Sequence, residues 1–459
     1  MRQHRLPKQL IVAWGLGTLP MAIYFNAFNI LALRYLTDIV GLAAATAGLL
    51  ISVSKIYDAV SDPLMGAISD RTRSRSGRRR PYLLLGGLLC GFSMYALFNL
   101  PMLMPGANPA WLVGALLILY ATTYTIYNVP YMAMPAEITT EAKDRSAMMS
   151  VRVMCIGAGG LIAGTLGPKI VGYAGGGASG HSFMGIVLGC TIAAISVAIF
   201  FGTAQKDAPK PMVPKDKVPL STYSLKDKIA AVASNRPFVL LLLIKLCILL
   251  GVAVSASTLA FFVVSILGRS YGDLGTVILF NTLGQILGTP IWLKVLGKLG
   301  KRRTFVTSAF IFAAVSMTWL LADSAEPLWL TSVRVLAKGL GTGGILLVSQ
   351  ALLPDTVEFD RLRTGIAREG VLSGLYTTIE KISFALGTAL TGLYLGAMNY
   401  VSRAEVQPDS AIQAIYACQA TLPAVFILLA AGVLVFYTLD DAILERLRKG
   451  QPDLAQQSA

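Results

Sequence analysis

PYLLLGGLLCGFSMYALFNLPMLMPGANPAWLVGALLILYATTYTIYNVPYMAMPA, residues 81–136, runs for 56 residues without one Asp, Glu, Lys or Arg. A helix that crosses a bilayer needs about 20 predominantly apolar residues. The run therefore holds two crossings, parted by the turn-forming Met104-Pro105-Gly106-Ala107-Asn108-Pro109. Residues 182–205, 246–268, 274–293, 304–322 and 410–439 are charge-free as well. Segments with one or two embedded charges bring the total to twelve, near 10–37, 43–69, 81–102, 111–136, 146–173, 182–202, 237–267, 273–296, 304–322, 328–353, 370–399 and 411–438. The runs are long and do not alternate, which selects helices over a barrel. Over all 459 residues, 55% are apolar and 14% charged. A soluble domain is about 25% charged, so a soluble enzyme is excluded, and so is a disordered chain. The expected class is an all-α membrane protein of twelve transmembrane helices.

The net charge of +15 is an orientation signal. If the N-terminus is cytoplasmic, the cytoplasmic segments carry 29 of the 39 basic residues and the other side only Lys169, Arg269 and Arg403. That asymmetry predicts both termini inside, in a multi-pass protein of the plasma membrane (a bacterial inner membrane). It explains the basic balance through the bilayer and anionic lipid, with no nucleic acid as partner. The apolar stretch after Met1-Arg-Gln-His-Arg5 is too long for a signal peptide and stands as an uncleaved first span. Seven basic residues remain in or near spans: Arg34, Lys55, Arg152, Lys245, Arg334, Lys338 and Lys381. The five cysteines fall singly in separate spans, with no metal or disulfide spacing. The two histidines, His4 and His181, lie outside the expected spans, so no catalytic constellation is visible and no cofactor is called for. A membrane sensor would carry an output domain, and only twenty residues follow Leu439.

The longest polar connection, 203–236, is rich in Lys and Pro and reads as a cytoplasmic linker. It divides a six-helix unit at 1–202 from another at 237–438, with a tail at 439–459. The halves echo each other. Gly77-Arg78-Arg79-Arg80 opens the third span and Gly300-Lys301-Arg302-Arg303 the ninth; Pro135-Ala136-Glu137 ends the fourth and Pro354-Asp355 the tenth. Similar offsets at equivalent positions point to two pseudo-symmetric bundles with a substrate site between them near the bilayer midplane.

Gly66-Ala-Ile-Ser-Asp70-Arg71 with Gly77-Arg78-Arg79-Arg80 resembles the signature between the second and third helices of the major facilitator superfamily. Lys55-Ile-Tyr-Asp58-Ala-Val-Ser-Asp62-Pro-Leu-Met-Gly66 resembles the glycoside–pentoside–hexuronide:cation symporters within it. Tyr35-Leu-Thr-Asp38-Ile-Val-Gly41, Tyr124-Thr-Ile-Tyr-Asn-Val-Pro130-Tyr131 and Gly365-Ile-Ala-Arg-Glu369 extend the likeness along the chain. The resemblance implies a secondary transporter that couples Na+ or H+ to uptake of a sugar, glycoside or uronide by alternating access. The sodium-dependent lysophosphatidylcholine symporters share the paired aspartates, so a lysolipid or other amphiphile is the rival substrate.

Asp58 and Asp62, four apart, project from one helical face. A carboxylate at the bilayer centre costs about 3 kcal/mol on insertion scales, so the pair needs a cation, a proton or a basic partner. Ser61 beside Asp62 and Thr125 on the fourth span add hydroxyl oxygens for a monovalent cation, the only metal this set suits. The resemblance implies the same four. The family's best-known member has Asn where Ser61 stands, which weakens sodium against the proton. Lys55 and Lys381 are the basic groups expected to pair with the aspartates, Lys381 as a mobile reporter of cation occupancy. Glu380 is either a local neutraliser of Lys381 or a second proton carrier.

The family's sugar-binding acids on the first and fourth helices fall here on Ala22 and Asn128, and its aromatic platform on Met132. Arg152 and Thr377 are retained, and the first span offers Tyr24, Asn26 and Asn29. These six polar residues form the expected substrate set; a lone Arg152 suits an anionic substrate, unless Asp144 or Glu141 pairs it. Asp70, Arg71 and Arg78 are expected to form a cytoplasmic gate. The crowded glycines of the fifth span, Gly157 to Gly167, serve helix packing. The protein is expected to work as a monomer.

Overall fold

The computed structural model describes residues 6–74, 76–104, 110–139, 141–204, 235–364, 369–404, 406–439 and 441–448. Most of the linker, the tail beyond 448, His4 and residues 365–368 lie outside them. Within them the chain is helical: α1 (Lys8–Val40), α2 (Ala44–Arg71), α3 (Arg80–Phe98), α4 (Ala110–Ala133), α5 (Lys143–Tyr173), α6 (Gly177–Gly202), α7 (Arg236–Ile266), α8 and α9 (Tyr271–Leu321, parted at Gly300), α10 (Leu328–Thr364), α11 (Glu369–Ala397) and α12 (Asp409–Val435). All but α2 and α11 lie in stretches long and apolar enough to cross a membrane. Those two fall short because they carry the embedded charges Lys55, Asp58, Asp62, Glu380 and Lys381.

The duplication is visible in the backbone. α1 and α7 both end in a π-turn, Tyr35–Val40 and Phe262–Ile266, followed by a left-handed glycine, Gly41 at φ 94° and Gly268 at φ 61°. Only glycine takes that conformation freely, and it lets the next amide reach back to cap the helix: Leu42 N–H to Leu36 O at 2.9 Å, Arg269 N–H to Val263 O at 3.0 Å. Gly77 and Gly300, the glycines of the echoed basic motifs, likewise have φ of 97° and 74°. The second echo meets the first in each half, since Arg79 pairs with Glu137 at 2.7 Å and Lys301 with Asp355 at 2.7 Å.

The halves join at the end away from these basic motifs. There Arg34 donates to Ala260 O at 2.8 Å, Ser402 to Leu42 O at 2.7 Å, and Arg403 to Val40 O at 2.7 Å. α2 and α11 touch backbone to backbone, so that a Cβ on Gly48 would stand 2.9 Å from Gly392 Cα. One apolar core runs through this junction and includes Phe28, Leu36, Phe261, Leu395 and Ile415. Toward the basic end the second half has a separate core around Phe305, Leu352 and Phe359. Gly157 on α5 and Gly374 on α11 face open space, while Gly159 packs on Ala22 and Gly164 on Ile278. The two halves thus meet at the far end.

Three boundaries differ from the sequence reading. α10 continues past 353 to Thr364, because charge ends a membrane segment without ending a helix; Thr356 there bonds Tyr437 at 2.8 Å. α8 and α9 follow each other with only Gly300 between them. α6 begins at Gly177, which brings His181 inside a helix, fully buried against the Tyr35 and Tyr271 rings.

Candidate cation and substrate sites

α2 turns Asp58 and Asp62 toward α4 and α11. The Thr125 hydroxyl lies 2.6 Å from Asp58 Oδ1 and 3.1 Å from Asp62 Oδ1, so its one proton serves both carboxylates. Ser61 Oγ lies 3.2 Å from Thr125 Oγ1 and 3.2 Å from Asp58 O. Lys381 crosses from the other half: Nζ stands 2.8 Å from Asp58 Oδ2 and also bonds Asp62 Oδ2. One ammonium thus serves two carboxyl groups, both partly exposed. The five residues come from three helices and both halves. Their oxygens are the hard donors that suit a monovalent cation or a proton, and the ammonium occupies the edge where such a cation would bind.

Lys55 is placed differently from its expected pairing with the aspartates. Its Nζ bonds Asn29 Oδ1 and sits over the rings of Phe25, Phe28 and Phe384 at 5.4, 5.9 and 5.3 Å. Side chains lean toward the helix N-terminus, so a lysine one turn before Asp58 points away from it. Glu380 does not neutralise Lys381 either. A helical step of about 100° carries it to α7, where its Oε2 accepts from Lys245 at 3.0 Å.

The expected substrate residues separate into two groups. Tyr24 is fully buried in the first half, its hydroxyl 2.6 Å from Ser93 and 2.9 Å from Thr123, and its ring stacked on Tyr120 at 3.9 Å. That is a packing role: tyrosine in a helix interface needs its hydroxyl satisfied. Asn26 bonds Ala22 O and Asn29 bonds Phe25 O, each at 2.8 Å along its own helix. Arg152, Asn128 and Thr377 are less enclosed than Tyr24. Thr377 is exposed and bonds Gly374 O, and Asn128 is half-buried. The ion pairs expected for Arg152 are not made. Asp144 instead accepts from the Leu6 amide at 3.2 Å, and among the described residues Arg152 has no carboxylate partner.

At the basic end Asp70 accepts from Arg78 at 2.6 Å and Arg79 at 3.0 Å, and Glu137 ties Arg79 to α4. Arg71 takes no part in this cluster and is exposed. Sequence reading did not single out Arg79 and Glu137 as members of this cluster, although both stand in the echoed motifs. It missed the far-end cluster too, in which Asp38 pairs with Arg34 at 3.3 Å and accepts from Tyr400 at 2.8 Å. Tyr124, one residue before Thr125, packs its ring near Tyr24 and Phe25 at 6.3 and 6.2 Å.

A family model described as MFS/sugar transport protein matches residues 13–441. An isoprimeverose transporter of Lactiplantibacillus pentosus is 25% identical over 97% of this chain and 92% of its own length. A glucuronide carrier protein homolog of Escherichia coli is 26% identical over 95% and 94%. A sodium-dependent lysophosphatidylcholine symporter of Danio rerio is 22% identical over 93% and 84%. A bacterial homolog of the human lysosomal transporter Spinster, solved inward-facing and unoccupied, shares the fold at TM-score 0.68 with 14% identity, covering 95% of this chain and 98% of that one. Twelve helices in two repeated bundles, charges gathered at their junction and the match along nearly the whole length lead to one conclusion: the chain is a membrane transporter, not an enzyme, and belongs to the MFS/sugar transport protein family.

Proposed function

We propose that this protein couples entry of a monovalent cation, Na+ or H+, to uptake of a glycoside or uronide by alternating access. The observation that carries the reading is Lys381 of one half bridging Asp58 and Asp62 of the other. A cation arriving at Asp58, Ser61, Asp62 and Thr125 competes with that ammonium. Its binding therefore alters a contact between the halves, which is what coupling requires. Linkage makes the effect reciprocal: substrate raises cation affinity by the factor by which the cation raises substrate affinity. Arg152, without a carboxylate partner among the described residues, favours a substrate with an acidic group, in keeping with likeness to a glucuronide carrier homolog. Asn128 and Thr377 supply neutral hydrogen bonds beside it.

The basic end is assigned to the cytoplasm, with both termini there and the protein in a bacterial inner membrane. The far-end junction of Arg34, Asp38, Tyr400 and Arg403 is then the outer closure. Residues 1–202 and 237–438 are the rocking units, 203–236 is their linker, and a monomer suffices for the cycle.

The test is uptake by purified protein in liposomes. Sodium and proton gradients are imposed in turn, with radiolabelled phenyl glucoside, phenyl glucuronide and lysophosphatidylcholine offered separately. Gradient-driven accumulation of a glycoside or glucuronide is expected. Accumulation of the lysolipid alone, or equal uptake with and without either gradient, sinks the reading.

A further inference from the structure

Glu380 stands out among the charged groups of the spans. Its side chain is 50% exposed whereas that of its partner Lys245 is 6% exposed. Lys245 is pinned, with Nζ 3.3 Å from the centre of the Tyr376 ring and 3.0 Å from Glu380 Oε2. The second oxygen, Oε1, has no hydrogen-bond partner among the described residues. Glu380 stands one turn from Thr377 on α11, which is exposed as well, and beside Lys381, which crosses to Asp58 and Asp62 of the opposite half. A fixed carboxylate with one free oxygen thus stands where the two halves face each other.

A carboxylate held at one oxygen by a buried ammonium is oriented, and its other oxygen can accept hydrogen bonds. That is the group missing from the first half, where Ala22 and Asn128 stand at the positions of acids in the resembled symporters. We infer that Glu380, positioned by Lys245 and Tyr376, is the hydroxyl-accepting residue of the substrate site, so that sugar recognition here is supplied by α11 of the second half. The substrate is a sugar ring whose hydroxyls face Glu380 while its acidic or acceptor group faces Arg152. This assignment rests on the symport reading above and deepens it.

The test compares the wild type with Glu380→Gln and with the double variant Lys245→Met/Glu380→Gln, in liposomes, on phenyl glucoside, phenyl glucuronide and their monodeoxy forms. A hydrogen bond to a charged group contributes about 1.5–3 kcal/mol, roughly 10- to 100-fold in half-saturating concentration. Glu380→Gln is expected to raise that concentration by this factor for the parent glycoside. For the deoxy form lacking the contacted hydroxyl it is expected to change nothing. The double variant removes the buried unpaired lysine and so keeps the fold testable, and it must show the same selective loss. Restoration of affinity in the double variant overturns the assignment, because Glu380 would then act only by satisfying Lys245. An equal loss for every deoxy form overturns it as well. If the wild type takes up no glycoside, the symport reading fails, and this one with it. Wild-type uptake with unchanged discrimination in Glu380→Gln removes the Glu380 assignment alone.

Discussion

The two halves repeat a backbone but not a chemistry. The offset that separates Gly77 from Gly300, 223 residues, carries Asp58 onto Asn281 and Asp62 onto Gln285. On α8 the amides satisfy each other: Gln285 Nε2 donates to Asn281 Oδ1 at 2.9 Å, and Asn281 Nδ2 to Val335 O at 3.3 Å. An amide carries donors and acceptors together, so such a pair closes on itself. Two carboxylates offer only acceptors and cannot. On α2 the same spacing depends on protons from Thr125 and on an ammonium from the other half. Identical geometry is thus self-contained in one half and dependent on a cation in the other. That dependence is the reason for proposing α2, and not α8, as the place of ion coupling.

The largest expected effect tests this contrast directly. Asp58→Asn or Asp62→Asn turns the α2 pair toward the α8 type, and gradient-driven accumulation in liposomes should fall to the equilibrium level. Counterflow of unlabelled against labelled substrate, which needs no gradient, separates lost coupling from lost protein. Accumulation retained in both variants would break the comparison. Next comes Lys381→Gln, which removes the competitor for the carboxylates. Charges about 4 Å apart interact by roughly 1–4 kcal/mol between bulk water and a protein surface. The half-saturating cation concentration should therefore drop by about tenfold or more, read from substrate uptake against cation concentration. A rise in that concentration would mean that Lys381 assists cation binding.

Much of this contrast was legible in the sequence because embedded charges are rare in a chain of this composition. Twelve crossings, the repeat and the pairing of the aspartates with Lys381 follow from where charges are absent and where they persist. The remainder was not legible because it depends on direction around and along a helix. Lys55, three residues from Asp58, shares its face but leans the other way onto Asn29. Glu380 and Lys381 are adjacent and serve different helices. Tyr24 looked available on an apolar span and is buried in a hydroxyl network. Composition shows that a polar group must be satisfied; only packing shows by whom.

A smaller effect is expected where the halves touch at the far end. Tyr400→Phe keeps the ring against Phe261 but removes the hydroxyl bond to Asp38. A hydrogen bond to a charged group contributes about 1.5–3 kcal/mol, but Arg34 still pairs with Asp38, so the lower end applies. A roughly tenfold shift toward the form open at the far end should appear as faster alkylation of a cysteine introduced at Ser402. Arg79→Gln at the basic end should leave that rate unchanged, because its ion pairs to Asp70 and Glu137 stay within one half. Equal changes in both variants would mean that the two ends are not opened separately.

The smallest effect is reserved for the amides themselves. Gln285→Leu leaves Asn281 with its bond to Val335 O on α10 and removes one side-chain hydrogen bond within α8, a smaller loss than a bond between helices. Hydrogen bonds between membrane helices average about 0.6 kcal/mol by double-mutant cycles. Stability in detergent should therefore fall by no more than that order, seen as a shift of a degree or two in thermal unfolding. The cation dependence of uptake should not move. A shifted cation dependence would place Gln285 in the coupling machinery and erase the distinction between the halves. An unchanged one would leave α8 as the scaffold copy of the helix for which, in α2, the ion site is proposed.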